Sequence, residues 1–146
     1  MAHESIVYGI IDTGERNRDG ERDRRMALNK LAIGQLADSK GVLVPRGMFA
    51  VSNHSATFRT QLVHFAASHN YLEDRWHEWL DEFEQLLRRM CWLGVDVHVF
   101  FDQISKSFTY SWSISSTAIA ESLYADPPRP TSNWVFEGGP RDLRES

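Results

Sequence analysis

One stretch of this chain, residues 72–92, constrains the fold more than any other. Its apolar side chains recur at steps of three and four residues: Leu72, Trp76, Trp79, Leu80, Phe83, Leu86, Leu87 and Met90. Acidic residues such as Glu73, Glu78 and Asp81 occupy the opposite side. This spacing predicts an amphipathic helix. Asn70 is the predicted N-cap, with Glu73 three residues later as in a capping box, and Gly94 is the predicted stop.

The N-terminal part of the chain predicts two strands and a helix. Residues 5–11 are β-branched and aromatic, with apolar side chains at both alternating positions, which is typical of a strand covered on both faces. Residues 12–25 are polar and charged and predict a solvated loop. Residues 26–37 have helical spacing, and residues 58–68 predict a second strand, which residues 48–51 could extend upstream.

The segment after the long helix predicts a β-hairpin. Residues 95–102 and 108–114 each alternate between apolar and mostly polar side chains, and the five residues between them suit a hairpin loop. One face of this hairpin is apolar and the other mostly polar, as in an antiparallel sheet that is covered on one side.

The order of these elements is β-α-β-α-β-β, which indicates an α+β domain. We expect an antiparallel or mixed four-stranded sheet with two helices packed on one face. Residues 1–125 form this predicted single domain. Residues 126–146 are rich in Pro and Gly and predict an extended C-terminal tail, partly docked through the apolar residues 134–136. A short helix is possible at residues 117–124.

Composition excludes several classes of function. The chain has 146 residues, the size of one domain, and a formal net charge of −4, which argues against a nucleic-acid-binding protein. Its single cysteine, Cys91, cannot form an internal disulfide. The first residues lack the pattern of a signal peptide, and no apolar run approaches the ~20 residues of a membrane span. We therefore expect a cytoplasmic protein that binds neither membranes nor nucleic acid.

No motif in the sequence predicts catalysis, a cofactor or a metal. None of the six histidines has a zinc-site spacing, and one cysteine is too few for a thiolate cluster. Cys91 lies beside Trp92 at the end of an apolar segment, which favours a buried thiol over a nucleophile. We therefore predict no catalytic residue, no cofactor and no metal ligand. The one assembly that could serve an enzyme is His98 with Asp96 and His64, on an open sheet face.

The apolar patterns themselves resemble a known class of protein. The segments WHEWLDEFEQLL at 76–87, VDVHV at 95–99, FTYSW at 108–112 and ESIVYGII at 4–11 are similar to those of small immunity proteins of bacterial toxin systems, such as polymorphic, contact-dependent or type VI secretion toxins. In such proteins a WxxWLxxFExLL-like helix precedes a hairpin that ends in YxW. The resemblance covers residues 4–12 and 58–113. It implies a cytoplasmic protein without enzymatic activity, bound tightly to a cognate toxin.

Partner contacts in such families vary with the toxin, so the resemblance transfers no binding site to this chain. Charge and exposure nominate three surfaces: the loop after the first strand, the acidic helix face and the polar hairpin face. The candidate partner-binding residues are Asp12, Glu15, Glu73, Glu78, Asp81, Asp96, His98, Phe100 and Asp102. The alternatives are ordinary solvated surfaces, an adaptor or structural homo-oligomer, and the enzyme centred on His98. Whether the chain is a monomer or a homodimer stays open.

Overall fold

An antiparallel sheet is the framework of the fold. The computed structural model describes residues 4–15, 21–39, 41–51 and 60–143. The strands are β1 (Glu4–Glu15), β2 (Phe49–Val51), β3 (Thr60–Asn70), β4 (Gly94–Phe101), β5 (Lys106–Ser113) and β6 (Val135–Gly138). The helices are α1 (Glu21–Gly34), α2 (Trp76–Leu87) and α3 (Ser116–Ser122), and short 3-10 turns occupy Arg46–Met48 and Leu72–Arg75.

The strand order is β2-β3-β1-β4-β5-β6, and every neighbouring pair is antiparallel. The prediction of a four-stranded sheet with two helices is therefore wrong, because the described residues form six strands and three helices. The chain is α+β, as expected, but β2 and β6 have only three and four residues. Strands this short cannot be recognised from the alternation of apolar and polar residues in the sequence. Their backbone pairing with β3 and β5 defines them.

The helical layer covers one face of the sheet, and α2 lies at its centre. The ring of Phe83 contacts Phe65 of β3 and Trp112 of β5, with centroids 5.2 and 5.5 Å apart. Helix α1 joins the same core through the buried Ala32 and Ile33. Every second residue of the central strands is buried against these helices, as the pleat requires.

Helix α2 is shorter than the apolar spacing predicted. Tyr71 has a left-handed backbone with φ of 59° and separates β3 from the 3-10 turn, so Asn70 ends a strand and does not cap a helix. The helix ends at Leu87, and Gly94 begins β4. Buried side chains continue through residues 90–92 because tertiary contacts hold them; Trp92, for example, donates its backbone N–H to Oγ1 of Thr131 (3.1 Å). The apolar periodicity of the sequence therefore extends beyond the end of the helix.

The predicted loop at residues 12–25 is wrong at both ends. Strand β1 continues to Glu15 and α1 already begins at Glu21, while residues 16–20 lie outside the described part of the chain. Thr13 and Arg25 are buried even though both are polar, and Nη1 of Arg25 donates to the carbonyl of Thr13 at 3.4 Å. Burial of these polar side chains is a tertiary effect, which the local composition did not indicate.

The C-terminal segment completes the sheet. The predicted short helix corresponds to α3, and the predicted docking of residues 134–136 takes the form of β6, which pairs with β5. Phe136 lies against Trp112 at a centroid distance of 5.1 Å. Further back, Thr131 is fully buried, and its N–H donates to the carbonyl of Met90 at 2.8 Å. Residues beyond 125 thus supply both a strand and core contacts.

Candidate functional site: the open sheet face

The helices leave the other face of the sheet uncovered, and we call it the open sheet face. The strand register fixes its geometry in rows that cross β3, β1, β4 and β5, and three of these rows contain the large apolar side chains that are exposed there. These three rows are Ser68–Ile6–Phe100–Ser107, Ala66–Tyr8–His98–Thr109 and His64–Ile10–Asp96–Ser111.

The centre of the open sheet face is apolar. Ile6, Tyr8 and Ile10 on the central strand are 47%, 50% and 39% exposed, and Phe100 on β4 is 37% exposed. Ile6 and Phe100 are directly opposite each other in the register, so the four side chains form one patch. Contiguous exposed apolar side chains of this kind mark interaction surfaces more often than scattered ones do.

The expectation that β1 is covered on both faces is wrong, and these residues are the reason. Val7 and Ile11 are buried against the helices, whereas Tyr8 and Ile10 point to the open side. Apolar residues at both alternating positions were the sequence signal for the patch, but that signal alone does not distinguish a second covering layer from an exposed surface.

Tyr8 lies at the centre of the patch, and His98 is its neighbour on β4. Their rings stack across β1 and β4, with centroids 5.2 Å apart and an interplanar angle of 25°. Nδ1 of His98 is also hydrogen-bonded to Oγ1 of Thr109 on β5, at 3.3 Å. These contacts fix the two rings on a sheet whose backbone is already paired on both sides, which favours a rigid surface.

The charged residues of the open sheet face are acidic. Glu4, Asp12, Asp96 and Glu137 occupy outward positions on β1, β4 and β6. No lysine or arginine occupies an outward strand position among the side chains that the structure describes. An apolar centre with acids around it is therefore complementary to a partner that combines apolar and basic groups.

The structure brings together several of the residues that the sequence nominated. Asp96, His98 and Phe100 lie at alternating positions on β4, and Asp12 lies near the end of β1 on the same face. Asp102 is exposed in the turn that follows β4. These five residues therefore lie on, or next to, a single surface.

The remaining candidates lie elsewhere. Glu78 and Asp81 are on α2, on the other side of the sheet, where they pair with Arg75 (2.9 Å) and Arg141 (3.5 Å). Glu15 ends β1, and its side chain lies outside the described part. Glu78 and Asp81 therefore cannot belong to the same interface as the open sheet face.

Glu73 differs from the other nominated acids because it is buried. Only 8% of the residue is exposed, and its Oε2 accepts a hydrogen bond of 3.0 Å from the hydroxyl of Ser5 on β1. The amphipathic pattern placed Glu73 on the solvated side of a regular helix, but the 3-10 turn Leu72–Arg75 rotates it towards the sheet.

The assembly nominated for an enzyme, His98 with Asp96 and His64, does not converge on the open sheet face. In the third row, Ile10 separates His64 from Asp96, so the two Cα atoms are roughly 10 Å apart, or two strand spacings. Across the described residues, no three His, Cys, Asp or Glu side chains are placed to bind a metal ion.

Cys91 is likewise a structural residue. It is fully buried, and this burial raises the pKa of its thiol to about 11, although the positive charge of Arg25 acts in the opposite direction. A thiol with such a pKa is almost entirely protonated at neutral pH and is a poor nucleophile.

Comparisons with known proteins leave the family open. A scan against protein-family models found no match, and searches of curated proteins and of solved structures found none either. The resemblance to immunity proteins therefore stays a prediction. Among the described helices, none has the length and apolar character that crossing a membrane requires.

Proposed function

We propose that this chain is a non-enzymatic binding protein that neutralises a cognate bacterial toxin through its open sheet face. The observation that carries the proposal is the exposed patch of Ile6, Tyr8, Ile10 and Phe100 in an acidic surround. Protein interfaces typically combine such an apolar centre with a polar rim, and a few central residues supply most of the affinity. Tyrosine is among the residues most enriched at these central positions.

Charge favours a basic partner over a second copy of this chain. A symmetric dimer through the open sheet face would bring the acids of one copy, such as Asp96, close to those of the other. Like charges that meet in an interface disfavour association, whereas a basic partner is attracted and captured faster. The net charge of −4 acts in the same direction.

Rigidity also supports a binding role. The patch lies on β1 and β4, which are paired along both edges, and the stack of Tyr8 on His98 restrains the central ring. A surface that is ordered before binding loses little conformational entropy when a partner docks. We place this interaction in the cytoplasm, where the unpaired thiol of Cys91 is stable in its reduced form.

The test is affinity capture from the source cells with three versions of the tagged chain. Wild type is compared with Tyr8→Arg, which puts a positive charge at the centre of the patch, and with Tyr124→Arg. Tyr124 is a matched control because it is 53% exposed, against 50% for Tyr8, and lies after α3, outside the strands. We expect wild type and Tyr124→Arg to retain one near-stoichiometric partner that Tyr8→Arg loses.

Co-expression then separates neutralisation from simple binding. The captured partner should arrest growth when it is expressed alone, and wild type should restore growth while Tyr8→Arg should not. A partner that is harmless alone would exclude the immunity function. A wild-type dimer that Tyr8→Arg dissociates, with no partner captured, would instead assign the open sheet face to self-association and favour the structural homo-oligomer.

A further inference from the structure

A cleft lies at the end of β3, and its lining reaches Ser68, the neighbour of Ile6 in the strand register. It has a volume of about 420 Å³ and lies between residues 41–43 and the turn that follows β3. Its apolar wall consists of Val42, Leu43 and Leu72, and its polar groups include His69, Tyr71 and Arg75. The volume is within the range of small-molecule sites, which combine apolar walls with a few polar groups.

His69 lines this cleft and carries an unused hydrogen-bonding group beneath its surface. Its Nε2 is buried and has no hydrogen-bond partner within the described structure. A buried polar atom without a partner is costly, so turning the His69 ring towards a group bound in the cleft would give Nε2 the partner that it lacks. Burial lowers the pKa of His69, and the nearby Arg75 lowers it further, so the imidazole is neutral at pH 7 and one ring nitrogen can donate.

Arg75 is the charged residue that lines the cleft. Its Nε and Nη2 donate to Oε2 of Glu78 at 3.1 and 2.9 Å, which restrains the orientation of the guanidinium. A guanidinium has five N–H donors, so this pair does not exhaust them. Guanidinium groups suit carboxylates and phosphates because their donors match the spacing of two anionic oxygens.

Tyr71 adds a conformational observation. Its φ of 59° is in the left-handed region, which a residue with a Cβ seldom adopts. Backbone conformations of this kind persist where surrounding contacts enforce them, and they cluster at ligand sites. Here the conformation occurs two residues after His69 and turns the chain so that Tyr71 and Leu72 both line the cleft.

We propose that this cleft binds a small molecule that carries a carboxylate or phosphate group on an apolar body. Arg75 holds the anionic oxygens, the ring of His69 turns to donate to them, and Leu43 and Leu72 contact the apolar part. This proposal does not rest on the proposed binding of a toxin, and neither result would decide the other.

The test is an NMR titration of the full chain with benzoate, phenyl phosphate and the neutral benzamide. We expect one or both anions to shift the His69 ring resonances and the amides of residues 41–43 saturably, and benzamide to leave them unchanged. The anion that binds more tightly distinguishes a carboxylate ligand from a phosphate ligand. Bound anion should also raise the pKa of His69, because a negative charge favours the imidazolium form.

Two arginine variants locate the effect. Arg75→Gln should weaken anion binding at least tenfold. Arg46→Gln should leave anion binding unchanged. Arg46 is a matched control because its side chain is 53% exposed, against 51% for Arg75, and each arginine pairs with one acid. Glu78→Gln, which releases Arg75, should strengthen binding. The proposal is overturned if neither anion gives a saturable shift, if benzamide binds equally well, or if Arg75→Gln binds as wild type does.

Discussion

Arg141, in the segment after β6, forms an ion pair with Glu84 of α2. Glu84 is only 7% exposed, and its Oε2 also accepts a hydrogen bond of 2.9 Å from the indole N–H of Trp112. The guanidinium of Arg141 lies over the ring of Phe136, 4.8 Å from its centroid. One buried carboxylate therefore joins α2, β5 and the C-terminal segment.

Removing this cation should destabilise the protein. Arg141→Ala leaves the buried carboxylate of Glu84 with Trp112 as its donor, and we expect a loss of about 2 kcal/mol. That figure lies between those for buried and for exposed ion pairs, because Arg141 is itself partly exposed. Urea unfolding measures the loss. Arg24→Ala removes the exposed pair with Asp126 (2.6 Å) and should cost less than about 1 kcal/mol. Equal losses for the two variants would contradict this account.

Asn29 should be a second critical polar residue. Its side-chain amide donates to the carbonyl of Cys91 (2.9 Å) and accepts from the N–H of Cys91 (2.7 Å), and the residue is 3% exposed. Asn29→Ala leaves two buried backbone groups unpaired, so we expect a loss of about 3 kcal/mol and a lower Tm. Calorimetry tests this, with the exposed neighbour Lys30→Ala as the control. A Tm within a degree or two of wild type would exclude the role.

Two glycines should respond in opposite directions to alanine. A Cβ at Gly9 would lie 2.0 Å from the carbonyl oxygen of Asp96 and 2.7 Å from the ring of Phe65, so Gly9→Ala should cost about 3 kcal/mol through strand displacement. A Cβ at Gly34, at the end of α1, meets nothing within 4 Å. Gly34→Ala should therefore stabilise the protein by about 0.5 kcal/mol, because alanine has the higher helix propensity. Chemical denaturation of both variants checks the two signs.

The burial of Cys91 should make the free energy of unfolding depend on pH at high pH. Burial raises the pKa of its thiol from an ordinary value of 9.0 to about 11, so the native state favours the protonated form. The contribution of this buried thiol to the free energy of unfolding is complete below pH 9. It is lost as the pH rises towards 11, because the thiol ionises first in the unfolded chain. Unfolding curves measured across this window should show a shallower decline for Cys91→Ala than for wild type.

Thiol labelling gives an independent measurement of the same burial. A thiol reagent at pH 8 should modify native Cys91 slowly and the unfolded chain at once. Rapid modification of the native protein would show that the thiol is accessible and would contradict the raised pKa.

Local patterns predicted the elements whose burial is decided within one segment. The face of α2 that carries Trp79 and Phe83 and the alternation of β4 and β5 were both predicted, because one buried side leaves a periodic trace in the sequence. The same argument placed Asp96, His98 and Phe100 on one face of β4. β2 and β6 are too short to leave such a trace.

The sequence by itself determined the α+β class, the amphipathic α2, the hairpin and the shared face of Asp96 and His98. Only the tertiary structure decided that the central β1 is covered on one side, so that Tyr8 and Ile10 are exposed while Val7 is buried. It also decided that Glu73 is buried. The physical reason is that local periodicity reports which residues share a face, whereas burial of that face depends on distant elements that pack against it.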